Sequence, residues 1–140
     1  MAELTVAVLT PEASLFSGVA TGLVARSAAG FYTVLAGHMD SVTNLVPGAL
    51  RVDLDSGEET YAVHGGFVQV SHDETGTTAT VLAPVAERVT EIDVARATAA
   101  KESATNALSG VSEDDDNPDV LSARARLARA DLRLELASAR

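Results

Sequence analysis

The arginines near the end of the chain are the residues whose spacing most suggests chemistry. Arg129 and Arg133 lie four residues apart, close to Arg126, and would share one face of a helix. Asp93 and Arg96 are three apart, where they could pair or grip a ligand together. Guanidinium groups bind phosphates through paired donors, so converging arginines favour an anion or nucleotide site. The alternative is a solvated helix face whose ion pairs contribute little stability.

The other reactive residue types form no catalytic or metal-binding pattern. His38, His64 and His72 fall on separate loops or strand ends, with no second ligand at a metal-binding spacing. The chain has no cysteine, which excludes disulfides, thiolate zinc sites and a cysteine nucleophile. The glycine pair at 65–66 is not a phosphate-binding loop, and the acidic run 113–116 lacks the terminal glutamate of a calcium loop. We therefore expect no catalytic residue, no metal site and no required cofactor.

Up to about residue 90, apolar residues recur with a period of two, which predicts β-strands. Aliphatic residues alternate with polar ones, between turn residues spaced about ten apart. The stretch 49–64 is predicted to be a hairpin that turns at Asp55-Ser56-Gly57. Strands are also predicted at 67–70 and 80–82, with a turn over 72–76 between them. The pattern is typical of a sandwich or barrel.

Beyond residue 90 the period becomes helical. The stretch from Glu91 to Leu108 is rich in alanine and free of Gly and Pro, which predicts a helix that Gly110 ends. Asn117 and Pro118 predict the N-cap and first turn of a second helix running to the chain end. Its a and d positions alternate large and small residues: Val120, Ala123, Leu127, Ala130, Leu134 and Ala137.

The short acidic connection predicts that the two helices form an antiparallel hairpin. The start of the first helix and the end of the second then become neighbours. Arg96, Arg129 and Arg133 would converge on one patch. A lone pair of helices buries little, so we expect the hairpin to be marginally stable and able to detach.

The net charge of −10 is unevenly distributed and excludes a nucleic-acid surface. Residues 1–90 carry three basic and ten acidic side chains, residues 91–116 two and seven, and residues 117–140 five and three. An acidic body repels phosphates, so no nucleic-acid partner is expected. No signal peptide is visible and no stretch approaches the roughly 20 apolar residues of a membrane span. Membrane association is therefore expected only through partners.

An ordered set of short motifs gives the chain a family resemblance. The set consists of Leu4-x-Val6-x-Val8-x-Thr10-Pro11-Glu12, Leu15-Phe16-Ser17-Gly18, Gly37-His38, Gly65-Gly66-Phe67 with Val70, Thr80-Val81-Leu82-Ala83 with Ala86-Glu87, and Ile92-Asp93-x-x-Arg96-Ala97. In this order and spacing, over essentially the whole chain, the motifs resemble the epsilon subunits of bacterial F-type ATP synthases.

The resemblance implies a β + α protein with a β-sandwich of about ten strands over 1–88 and an antiparallel two-helix hairpin over 89–140. It implies a non-catalytic rotor subunit of the central stalk, peripheral at the cytoplasmic face of the bacterial cell membrane. The β-domain would bind the gamma subunit and the c-ring. The hairpin would extend toward the catalytic beta and alpha subunits and inhibit ATP hydrolysis.

The resemblance also implies two sites. In some members the folded hairpin binds ATP as a regulatory ligand, and the motif matches here at Ile92, Asp93, Arg96 and Ala97, with Glu87, Arg129 and Arg133 as companions. The c-ring contact is expected at the loop of Gly37, His38, Met39 and Asp40.

The sequence departs from the family pattern at three places. Ala36 and Asp40 stand where proline is usual, and Ser103 and Thr105 stand near the position of an arginine that some ATP-binding members carry. The connection at 110–118 is also longer and more acidic than usual. Two other interpretations stay open at this point: a free-standing nucleotide-sensing module, and a small adaptor whose hairpin caps or dimerises it.

Overall fold

The computed structural model describes residues 3–139, which form two compact units that divide between Arg88 and Val89. The regular elements of the first unit are all strands, and its core is aliphatic except for Tyr61. The strands are β1 (Glu3–Leu9), β2 (Ser14–Ala20), β3 (Gly22–Ser27), β4 (Gly30–Val34), β5 (Ser41–Leu45), β6 (Gly48–Leu54), β7 (Gly57–Val63), β8 (Gly66–Asp73), β9 (Gly76–Leu82) and β10 (Ala86–Arg88).

Hydrogen bonds join the strands in the order β10-β7-β6-β3-β5-β8-β9-β1-β2, with β4 paired to β3. The sheet folds over itself around one aliphatic core, so the predicted β-sandwich of about ten strands is confirmed. Alternating burial along β1 shows how one face of a strand enters this core: Leu4, Val6 and Val8 are buried, while the residues between them are half-buried. The β1–β9 pair is parallel, and the other pairs along this path are antiparallel.

The predicted hairpin at 49–64 is confirmed, since β6 and β7 pair antiparallel with Leu54 opposite Gly57. The predicted turn at 72–76 is too long, because β8 continues to Asp73 and β9 begins at Gly76. The Asp73 carboxylate shortens the turn by accepting hydrogen bonds from the Thr75 backbone N–H and hydroxyl and from the Gly76 N–H. These bonds hold the pKa of Asp73 below its usual value.

The second unit contains a 3-10 turn at Val89–Glu91, helix α1 at Val94–Ala107 and helix α2 at Pro118–Ser138. Helix α1 starts three residues later than predicted. Asp93 is its N-cap, and the Asp93 carboxylate accepts the Arg96 backbone N–H at 3.0 Å, which satisfies one of the helix's first donors. The predicted Asn117 cap and Pro118 first turn are confirmed. Gly110 has a φ of 74° and lies two residues past the Leu108 C-cap.

Small residues hold the two helices together. Ala97 and Ala104 are buried on α1, and the seam of α2 is buried at three alanines: Ala123, Ala130 and Ala137. The large residues of the predicted a and d pattern are only half-buried. Alanines spaced seven apart on both helices permit a close approach of the two backbones.

The connection joins adjacent ends, and an ion pair joins the middles of the helices, with Lys101 Nζ at 2.9 Å from Asp131 Oδ1. These contacts give the antiparallel hairpin that the sequence predicts. No helix within residues 3–139 is long and apolar enough to cross a bilayer.

Candidate functional site

The flank of the hairpin that carries arginines is the first candidate site. Successive residues advance about 100° around a helix, so Lys101 lies about 40° to one side of Ala97 and Arg96 lies about 100° to the other. On α2, Asp131 lies about 100° from Ala130 on the side that Lys101 faces, as their ion pair requires.

Arg129 and Arg133 lie on the other side of the α2 seam, about 100° and 60° from Ala130. In an antiparallel pair, residues displaced in the same sense from the seam face the same flank. Arg96, Arg129 and Arg133 therefore share the flank opposite the Lys101–Asp131 pair. The Lys101–Asp131 pair places those two residues at about the same height. With a rise of about 1.5 Å per residue, Arg96 is then offset along the axis by about 4.5 Å from Arg133 and by about 10 Å from Arg129.

The other residues of the predicted nucleotide motif either cap helix α1 or are buried. Asp93 caps α1, so its carboxylate binds the Arg96 backbone N–H rather than the Arg96 guanidinium. Ile92 and Ala97 are buried, and Ala97 belongs to the helix seam. Arg96 is exposed and Arg129 and Arg133 are half-buried, so the arginines are the motif residues placed to meet an anion.

Glu87 belongs to the β-unit, where it lies on β10 and its Oε1 is 3.4 Å from Nε2 of His64. The His64 side chain is almost fully buried, and its Nδ1 has no hydrogen-bond partner. Its backbone N–H donates to the Val85 carbonyl, which ties the residue after β7 to the residue before β10. His64 therefore contacts this predicted companion residue, a pairing that the sequence does not indicate.

The second candidate site is the loop between β4 and β5, where Gly37, His38, Met39 and Asp40 are predicted to contact a partner. Gly37 has a φ of 90°, a conformation that favours glycine, and its N–H donates to Thr77 Oγ1 at 2.8 Å. The His38 ring packs edge-on against Tyr32, with centroids 5.4 Å apart. The loop is thus fixed to β9 at one end and packed on β4 in its middle.

Asp40 fixes the other end of the loop. Its Oδ1 accepts hydrogen bonds from the His72 backbone N–H at 2.9 Å and binds the His72 ring Nδ1 at 2.6 Å. Proline restrains a loop through its fixed φ angle, whereas Asp40 restrains this one by bonding to β8.

This fixed loop presents apolar side chains to solvent. Met39 is 72% exposed and Leu35 is 55% exposed, and the flanking strands expose Phe31 at 78% and Val42 at 67%. Exposed apolar side chains of this size, on a loop and the strands next to it in sequence, favour a protein contact surface. Sequence analysis identified Met39 but missed the other three, although Phe31 and Val42 occupy outward positions in alternating strands.

Sequence analysis also missed an apolar pocket of about 300 Å³ in the β-unit. It is lined by the ends of β1, β8 and β9 and the residues that follow β1 and β9: Leu9, Thr10, Pro11, Gly66, Phe67, Leu82, Ala83 and Pro84. Several of these belong to the motifs that carry the family resemblance. Across residues 3–139, no group of three or more His, Cys, Asp or Glu residues is arranged to hold a metal ion.

Comparison with known proteins places both units in one family. The model of the ATP synthase delta/epsilon chain β-sandwich domain matches residues 3–89, and the model of the long α-helix domain of the same chain matches residues 90–138. A relative described as ATP synthase epsilon chain, from Staphylococcus haemolyticus, is 35% identical over 98% of each chain. Another of the same description, from Alkalihalophilus pseudofirmus, is 38% identical over 81% of this chain and 83% of its own.

Two solved structures share the fold. A chain of the Euglena gracilis mitochondrial ATP synthase, determined with OSCP, F1 and c-ring, superposes with a TM-score of 0.66 at 23% identity, over 99% of this chain and 79% of its own. A chain from the central stalk and c-ring of the Tetrahymena thermophila mitochondrial ATP synthase superposes with a TM-score of 0.61 at 15% identity, over 96% of both chains.

Proposed function

The chain belongs to the ATP synthase delta/epsilon chain family, and from this membership we propose that it is a non-catalytic rotor subunit of a proton-translocating F-type ATP synthase. One observation carries the proposal: both domains of the family occur in tandem, and relatives described as ATP synthase epsilon chain match nearly the full length. It would couple the catalytic head to the c-ring and restrain ATP hydrolysis. It would associate with the cytoplasmic face of a bacterial cell membrane through the complex.

The β-unit supplies the coupling contacts in this proposal, with the gamma subunit and the c-ring as partners. A coupling contact must transmit torque without deforming, and the loop Gly37–Asp40 meets this need. The Gly37 backbone N–H is bonded to Thr77 on β9, and the Asp40 carboxylate is bonded to the His72 backbone on β8. The exposed Leu35 and Met39 would give the loop an apolar surface to bury against a partner.

The helical unit supplies the restraint, by extending toward the catalytic beta and alpha subunits. Opening the hairpin exposes the five buried alanine methyl groups of the seam and the covered part of its larger residues. At about 0.8 kcal/mol per buried methyl group, the alanines contribute about 4 kcal/mol to the cost of opening, far less than the core of a domain would. A partner or ligand with modest preference for one state can then shift the population.

We propose ATP as the regulatory ligand of the folded hairpin, bound on the flank of Arg96, Arg129 and Arg133. The arginines share this flank by helical geometry, and guanidinium groups suit phosphate oxygens. Ser103 stands near the position where some ATP-binding members have an arginine, which removes one cationic contact and predicts weak binding.

Calorimetry of ATP with the full-length chain tests the ligand. We expect Arg96→Ala to reduce the affinity about tenfold, as is reasonable for one lost charged hydrogen bond. Lys101→Ala removes the same charge from the opposite flank, and the exposed ion pair that it breaks contributes little stability, so the affinity should change little. Absence of heat at millimolar ATP, or equal effects of the two variants, would exclude this site.

The motor function has two tests. Co-purification with a gamma-type subunit separates it from the other interpretations, since neither a free-standing nucleotide sensor nor an adaptor requires that partner. Deleting residues 91–140 from the assembled enzyme should increase ATP hydrolysis, because the β-unit remains while the restraint is lost. Unchanged hydrolysis would contradict the restraining role and leave the coupling role intact.

A further inference from the structure

The connection between α1 and α2 carries closely spaced negative charges. Residues 113–116 are four consecutive carboxylates, all exposed, and Asp119 follows in the first turn of α2. Like charges this close repel one another, which favours an extended connection. Even so, the connection is compact, with backbone hydrogen bonds from Val111 to Leu108 and from Asp115 to Ser112.

One guanidinium opposes this repulsion. Arg124 reaches back from α2, and its Nη1 donates to the Asp115 carbonyl at 2.9 Å. Its Nη2 donates to the carbonyls of Ser112 at 2.9 Å and Glu113 at 3.0 Å. Three carbonyl dipoles from one short segment thus converge on a single cation, inside the field of the neighbouring carboxylates.

The bonds span 9 to 12 residues of sequence, so they close the connection rather than cap a helix end. Both Nη atoms are used, which matches the fixed fork of a guanidinium and not the compact ammonium of lysine. The stretch from Ser112 to Asp115 cannot straighten away from α2 while Arg124 holds its carbonyls. Any separation of the helices that straightens this part of the connection must therefore break all three bonds.

We propose that Arg124 is a clasp that holds the hairpin turn closed and so favours the folded hairpin over the extended one. The clasp itself stands on the three hydrogen bonds. Its influence on the motor rests on the proposed function, in which extension of the hairpin restrains ATP hydrolysis. It acts at the turn, away from the arginine flank of the proposed ATP site, and needs no ligand.

Hydrogen exchange of the full-length chain tests the clasp, read over residues 108–121. Arg124→Ala should accelerate exchange of this segment about tenfold, the effect of losing a charged hydrogen-bond donor at a partly exposed site. Arg126→Ala is the matched control, because it removes the same charge from the same helix at an exposed position. Equal exchange in the two variants would overturn the clasp.

Arg124→Lys separates the hydrogen-bonding fork from the charge, and it preserves the helix. We expect exchange in the turn to lie between those of the unchanged chain and Arg124→Ala. If lysine fully restores slow exchange, charge neutralisation alone closes the turn and the clasp is wrong.

The assembled enzyme provides an independent second test. Arg124→Ala should lower ATP hydrolysis relative to Arg126→Ala, because a turn without its clasp opens more readily toward the restraining state. Faster exchange with unchanged hydrolysis would support the clasp and contradict the restraining role of the hairpin.

Discussion

Replacing Ala130 with leucine tests whether small residues determine the stability of the hairpin. Ala130 is fully buried at the centre of the seam on α2. Leucine adds three carbon atoms where two helices approach closely, and overpacking of this kind costs about 1–3 kcal/mol. The helix propensities of alanine and leucine are similar, so the cost reflects packing between helices and not α2 itself.

A loss of about 2 kcal/mol changes the ratio of folded to unfolded hairpin roughly 30-fold. Because the seam is built mainly from alanine methyl groups, we expect this change to unfold much of the helical unit at room temperature. Ala125→Leu makes the same chemical change at an exposed position of α2 and should leave the hairpin stable.

The assay uses the distribution of chromophores in the chain. There is no tryptophan, and the two tyrosines, Tyr32 and Tyr61, both lie in the β-unit. Urea unfolding followed by tyrosine fluorescence therefore reports the β-unit, while far-ultraviolet circular dichroism also reports the helices. We expect Ala130→Leu to shift the dichroism transition and leave the fluorescence transition in place. Equal transitions for the Ala130 and Ala125 variants would refute the packing argument.

Three further predictions concern single residues. Gly66→Ala should destabilise the β-unit by about 2–3 kcal/mol in urea unfolding, because a φ of 116° is strained for alanine and its Cβ would collide with the β9 backbone. Gly57→Ala should cost less, because the backbone is strained there too but no atom lies near the added Cβ. Burial and a bond to a neighbouring carboxylate raise the pKa of Tyr61 above its ordinary 10, so stability is complete below pH 10 and falls above it; Tyr61→Phe should abolish that fall in alkaline urea unfolding. Asp93→Ala should cost the hairpin about 1 kcal/mol in thermal unfolding by removing the N-cap, and Glu102→Ala should cost little; equal costs would contradict the cap.

Much of the fold can be predicted from the sequence because its periodicities are local. Alternation along β1 and β6, the turn residues between β6 and β7 and the alanine spacing of the helices give strands, hairpin and seam directly. The errors lie at element ends, where side chains compete with the backbone for hydrogen bonds. Asp93 delays the start of α1 by capping it, and Asp73 shortens the β8–β9 turn by the same chemistry.

The candidate sites were less predictable because their contacts join distant parts of the chain. Asp40 binds His72 across 32 residues, and Gly37 binds Thr77 across 40. No local pattern marks such partners. The three carbonyls that Arg124 binds are backbone atoms, which carry no signature in the sequence. Arg96, Arg129 and Arg133 were placed together because the helical period, a local property, determines their flank.

The two units differ in the way their contacts allow movement. The loop at 37–40 is fixed by hydrogen bonds to two separate strands, so moving it requires breaking its bonds to both β8 and β9. The hairpin is held by its own seam, one exposed ion pair and the Arg124 bonds, all of which can break without disturbing a strand. Changing a population from 99:1 to 1:99 requires about 5.5 kcal/mol of differential binding. A weak ligand cannot supply this, so regulation by ATP at ordinary concentrations requires folded and extended hairpins that are nearly balanced. In the proposed mechanism the small alanine seam and the acidic connection would provide that balance, and the Arg124 clasp would shift it toward the folded hairpin.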